Sequence, residues 1–166
     1  MHAAGYGASH VTAVDISDVA IARARQNMEM NNGAGAIAAA EFVEANVFDY
    51  LREKAATPGA KGSFDMVILD PPAFTKTRAA SESALRGYKE INLRAAQLLA
   101  EGGILVTASC SHHVNEAMFF EVVQSALADA RRRARLLERR GQAHDHPVLA
   151  GVPETSYLKF LVFQMV

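Results

Sequence analysis

Short apolar runs ending on polar residues alternate with amphipathic patterns along almost the whole chain, and this alternation narrows the fold most. Val11 to Asp15 (VTAVD) reads as a β-branched strand ending in a carboxylate. Ser17 offers a hydroxyl N-cap to a helix carrying Val19, Ile21, Ala24 and Met28, which Asn32-Gly33 closes. Glu41 to Glu44 reads as a second strand, with a brief helix through Phe48, Leu51 and Arg52 after it. Thr57-Pro58-Gly59 to Gly62 is loop chemistry. Met66 to Leu69 is a continuous apolar run, the pattern of a strand buried on both faces.

A helical pattern follows from about Ser83, with Leu85, Tyr88, Ile91, Ala95, Leu98 and Leu99 on a 3.6 period and Gly102-Gly103 as its end. Ile104 to Ala108 is another buried strand. Asn115 to Ala130 is a long helix that buries Met118, Phe119, Val122, Val123 and Leu127. Arg135 to Arg139 and Tyr157 to Met165 are strand-like, and a His/Pro/Gly-rich loop joins them. Strands alternating with helices predict an α/β, Rossmann-like, doubly wound and mostly parallel sheet, and the closing pair predicts an antiparallel addition. Right-handed crossovers bring the C-terminal strand ends to one edge, which receives Asp15, Asn46, Asp70 and Cys110.

The 166 residues are 50% hydrophobic and 21% charged, which excludes disorder and fits one globular domain. No apolar run reaches the ~18–20 residues of a membrane span, and no signal-peptide pattern opens the chain. One cysteine rules out a disulfide framework and points to a reducing, cytoplasmic home. A net charge of −1 gives no global pull on nucleic acid, so any such binding needs a local patch.

Asp15 stands where doubly wound folds set an acid on a ribose diol, although a strand-end carboxylate also serves as a plain helix cap. Gly5-Tyr6-Gly7-Ala8-Ser9-His10 is no dinucleotide fingerprint, because it lacks the third glycine and precedes its strand. DPPAF, Asp70 to Phe74, is the sharpest motif. Pro71 and Pro72 lack N–H groups, so their corner presents carbonyl acceptors suited to a base's exocyclic amine, with Phe74 to stack on the ring. A simple strand-ending turn would explain the prolines but not the aspartate. Cys110 is the lone thiol, set in Ser109-Cys110-Ser111 at a strand's end, where an inert buried cysteine is the plainer alternative.

Asp70-Pro71-Pro72-Ala73-Phe74, followed by Gly87-Tyr88-Lys89-Glu90-Ile91-Asn92, resembles S-adenosylmethionine-dependent RNA methyltransferases of the Rossmann class. Glu101 to Ser111 (EGGILVTASCS) and the stretch from Gln142 to Lys159 resemble the cytosine-5 branch acting on 23S ribosomal RNA. The resemblance implies that Asp15 takes the ribose hydroxyls of S-adenosylmethionine, that Ile16 lies against adenine, and that Asn46-Val47 reads the adenine amine. It places Asp70 in the base pocket near the transferred methyl group, with Pro71, Pro72 and Phe74 beside the RNA base. Arg78, Arg86 and Lys89 become the RNA-facing charges. Cys110 becomes the nucleophile that adds to carbon 6 of cytosine. No second thiol follows the proline turn, which leaves the base that removes the carbon-5 proton unassigned.

The family's first strand and glycine-rich turn have no counterpart ahead of Ala8, so residues 1–166 read as a partial catalytic domain. Amine methylation of adenine or guanine is the rival within this chemistry, and an inactive RNA-binding or interaction fragment is the rival outside it. Cys110, His112, His113, His144 and His146 match no standard zinc spacing, and no metal is expected. Six of the twelve arginines lie between Arg131 and Arg140, a phosphate-contacting patch or simply a solvated basic surface.

Overall fold

The structure is a computed structural model that describes residues 2–31, 39–74 and 81–166. Asn32-Gly33 and Arg78 lie outside the described residues. Two compact units divide the chain, Met1–Tyr50 and Leu51–Val166.

In the first unit a short helix α1 (His2–Gly5) precedes β1 (His10–Asp15), α2 (Asp18–Met30) and β2 (Ala39–Glu44), and α3 (Val47–Ala56) begins there. β1 and β2 pair in parallel from His10↔Ala39 to Asp15↔Glu44. The expected cap is present: Ser17 Oγ accepts the Ala20 N–H at 3.2 Å. Among the apolar positions expected to face inward on α2, only Met28 is buried, while Ile21 and Ala24 are half-covered and Val19 is exposed. A two-stranded sheet is too narrow to cover a longer stripe. Val11, Ala13, Ala24, Met28 and Phe42 line a shallow apolar hollow between this helix and its strands.

The second unit holds β3 (Phe64–Leu69), α4 (Ser81–Leu98), β4 (Leu99–Ser109), α5 (Glu116–Asp129), β5 (Ala134–Arg140) and β6 (Lys159–Met165). The strand order is β3-β4-β6-β5. β3 runs parallel to β4, and β6 is antiparallel to both β4 and β5, as the closing strands led one to expect. The core is built from Tyr88, Ile91, Ala95 and Leu98 of α4, Phe119, Val123 and Leu127 of α5, and Leu105, Leu161 and Phe163 of the sheet. Tyr88 meets Phe119 edge-on at 5.2 Å, and Phe120 stacks on Phe163 at 6.1 Å. Among the described residues no helix is long and apolar enough to cross a membrane.

Two sequence expectations need correcting. β3 is not buried on both faces: Leu69 is 6% exposed, but Met66 and Ile68 are 50% and 60% exposed. Met66 and Ile68 are two residues apart and share one face of the strand, so that face is open while Leu69 turns to the covered one. Among the described residues the strand is also the end strand of its sheet. Gly102-Gly103 does not end α4 either, because the helix stops at Leu98 and Leu99 already belongs to β4. Phe64 pairs with Leu99 and Met66 with Ile104, so β4 carries extra residues in a bulge at its start. Gly102 takes φ +75° there, and Gly103 approaches backbone so closely that a Cβ would lie 2.9 Å from Ala100 O and 3.3 Å from Asp65 O.

These contacts give two stability predictions. Gly103→Ala should cost about 1–3 kcal/mol, because the atoms in the way are backbone and the β3–β4 register must shift to admit a methyl group. Asn115→Ala should cost about 1 kcal/mol by removing the Oδ1 acceptor of the Met118 N–H at the start of α5. Urea denaturation of the purified chain checks both, and an unchanged midpoint would refute the corresponding contact.

Candidate functional site

In the first unit the parallel register places Asp15 and the residues after Glu44 at the same strand edge, joined by the Ala45 N–H donating to Asp15 O at 3.0 Å. Asp15 is exposed, and its Oδ1 accepts the Ser17 N–H at 2.8 Å. The other carboxylate oxygen has no protein donor among the described residues and can accept from hydroxyls outside the chain. Ile16 follows with its side chain 71% exposed, an apolar surface beside that acid. Asn46 Oδ1 accepts the Phe48 N–H at 2.9 Å, capping α3, and one lone pair remains for an amine. Val47 is half-buried and opens the helix. A carboxylate, an exposed apolar side chain and an amide acceptor on one edge suit the ribose and adenine of a bound nucleoside.

In the second unit the pairing of Leu69 with Thr107 brings the turn after β3 and the turn after β4 to one edge. Asp70 and Pro72 are exposed, and Pro71 is half-buried. Phe74 lies against Tyr88, with ring centroids 4.6 Å apart and planes tilted 45°, so one side of this aromatic is held by the protein. Cys110 is half-buried and lies between two buried serines. The Tyr88 hydroxyl is 2.9 Å from both Ser109 Oγ and Ser111 Oγ. A single phenol on α4 therefore grips the residues on either side of the thiol.

Lys159 is the residue that sequence reasoning missed. It opens β6 opposite Ser109 and is only 8% exposed. Its Nζ donates to Ser111 O at 2.7 Å and to Tyr157 O at 2.8 Å. Burial pushes the ammonium below the usual lysine range, and the charge of Cys110 acts in the opposite direction. A signal was available: Lys159 is in phase with Leu161, Phe163 and Met165, the buried face of its strand. A lysine at an inward position of such an alternation needs a reason.

The expected RNA-facing charges divide. Lys89 Nζ pairs with Asp129 at 2.7 Å, which turns it toward α5, whereas Arg86 stays exposed and only loosely paired with Glu82 at 4.0 Å. Within the basic run, Arg132 pairs with Glu101, Arg139 with Glu116 and Arg140 with Glu138. Half of that cluster thus serves the protein's own surface. Among the described residues no three His, Cys, Asp or Glu side chains converge as metal ligands. His112 and His146 instead flank Tyr157, each with its ring centroid 6.2 Å from the tyrosine's.

The family described as "Methyltransferase domain" matches residues 2–149. The ribosomal RNA large subunit methyltransferase I of Aeromonas salmonicida is 45% identical over 156 residues, covering 94% of this chain and 38% of that protein. The protein of the same name from Escherichia coli (strain HS) is 44% identical over 154 residues, covering 92% of this chain and 37% of its own length. The chain thus spans well under half of the curated relatives it matches. Among solved structures, a candidate methyltransferase complexed with SAH superposes with a TM-score of 0.75 at 20% identity, covering 92% of this chain and 38% of that one. Fold and family match agree: the chain belongs to the S-adenosylmethionine-dependent methyltransferase family of the class I α/β fold.

Proposed function

We propose that the chain serves methyl transfer to carbon 5 of a cytosine in 23S ribosomal RNA, in the cytoplasm, through covalent catalysis by Cys110. The observation that supports this most is the half-buried thiol at the end of β4, on the edge that also carries Asp70. The relatives' names supply the substrate class, large-subunit ribosomal RNA.

Carbon 5 of cytosine is too weak a nucleophile to take a methyl group unaided. The Cys110 thiolate adds to carbon 6, and the ring becomes an enamine whose carbon 5 is electron-rich. S-adenosylmethionine, held by Asp15, Ile16, Asn46 and Val47, supplies an electrophilic methyl group when bound. Loss of the carbon-5 proton to a base then reforms the double bond and expels the Cys110 sulfur. Pro71 and Pro72 present carbonyl acceptors to the exocyclic amine, Asp70 holds the base edge, and Phe74, braced by Tyr88, stands beside the base. Arg86 and Arg78 meet the phosphates, while Lys89 contributes less because Asp129 already holds it.

Ribosomal RNA from cells whose gene carries Cys110→Ala should lose one 5-methylcytosine, as measured by mass spectrometry of nuclease fragments. Unchanged methylation in that variant would refute the covalent role and favour transfer to a base amine, which needs no thiol. RNA containing 5-fluorocytosine has no carbon-5 proton to give up, so elimination should stall and leave a denaturant-resistant complex mapped to Cys110. An adduct that persists in Cys110→Ser would place the nucleophile elsewhere.

A further inference from the structure

We infer that Lys159 is a positioning residue for this reaction: its ammonium, anchored on the carbonyls of Ser111 and Tyr157, supports the negative charge that the Cys110 sulfur must carry to attack. The inference rests on the covalent role proposed for Cys110 and assigns that role a source of charge.

A buried ammonium is costly unless something compensates its charge. Two of its three N–H bonds go to neutral carbonyls, Ser111 O at 2.7 Å and Tyr157 O at 2.8 Å. Among the described residues no carboxylate forms an ion pair with Lys159, and the residue lying between its strand partner Ser109 and its hydrogen-bond acceptor Ser111 is Cys110. An ammonium held beside the backbone of the next residue attracts the negative charge that develops on a sulfur during attack. The geometry is fixed from three sides. β6 sets Lys159 opposite Ser109, the Ser111 carbonyl ties the ammonium to the residue after the thiol, and Tyr88 holds both flanking serines.

The other titratable groups around this corner are poorly placed for the task. The Tyr88 hydroxyl is engaged by the two serines, and Tyr157 lends its backbone carbonyl. His112 and His146 are exposed beside Tyr157, and Asp70, after β3, is exposed and of the wrong sign. Lys159 is the buried cation of the group.

Alkylation of Cys110 by iodoacetamide tests this, followed by intact-protein mass spectrometry between about pH 6 and 10 on the 166-residue chain. Lys159→Met should slow alkylation at neutral pH by about tenfold, a deficit that closes at high pH, whereas Lys159→Arg should stay within about threefold of the parent. A Lys159→Met profile that superimposes on the parent's at every pH would overturn the inference, as would an equal loss in Lys159→Arg. If Lys159→Met loses its melting transition, Lys159→Gln, which keeps an amide donor for the two carbonyls, takes its place with the same expected deficit. The readout needs neither RNA nor methyl donor. A failure here therefore leaves the Cys110→Ala result standing, and a failure there leaves the thiol's reactivity standing.

Discussion

β4 is bonded along both edges, in parallel to β3 and antiparallel to β6, and most of the second unit is arranged by that double pairing. The parallel partner delivers Asp70 to the end where Cys110 emerges. The antiparallel partner delivers its own first residue, Lys159, to the same end. The first result follows from βα alternation, but the second does not, because a further parallel strand would present its last residue there and not its first. The reversal at β6 is what brings a lysine to a corner otherwise built from strand termini.

That corner is also an investment of polar groups in a buried setting. Tyr88, Ser109 and Ser111 are fully enclosed, and each finds a partner within the cluster. Such a network is stabilising only when its members are satisfied, and it then fixes one arrangement of the backbone around them. Tyr88 adds an apolar role, because its ring touches Phe74 on one side and Phe119 on the other. A single residue therefore links the proline corner, the thiol's neighbours and the core of α5. Phe74 and the residues on either side of Cys110 share one support.

Much of this was legible in the sequence, and the failures have definite causes. Ser17 announced its helix because a side-chain oxygen just ahead of a helical pattern satisfies free N–H groups. The placing of Asp15, Asn46, Asp70 and Cys110 at or just after strand ends was legible because the apolar runs stop there. Met66 and Ile68 misled, because an apolar run reports composition and not what lies on either side of it. Leu99 misled because a helical period can continue by chance across a boundary, and Gly102-Gly103 suits a bulge as well as a helix end. Lys89 was assigned outward for lack of any local sign of Asp129, forty residues on. Tyr88 was read as core, and its hydroxyl partners lie more than twenty residues away. Lys159 was overlooked although it is in phase with Leu161, Phe163 and Met165, because the alternation marks an inward position without showing the carbonyls that hold its ammonium.

The double pairing of β4 has a consequence for the unit's motions. Amides bonded on an interior strand exchange with solvent only when the sheet itself opens, whereas those of an end strand escape through smaller fluctuations. Cys110 is tethered directly to the last residue of that interior strand, and Lys159 to its neighbour. Cys110 and Lys159 thus stand at the ends of strands paired along both edges, while the turn after β3 follows an end strand. Opening at the proline corner therefore needs less of the sheet to part than opening between β4 and β6, the pair that joins Ser109 to Lys159.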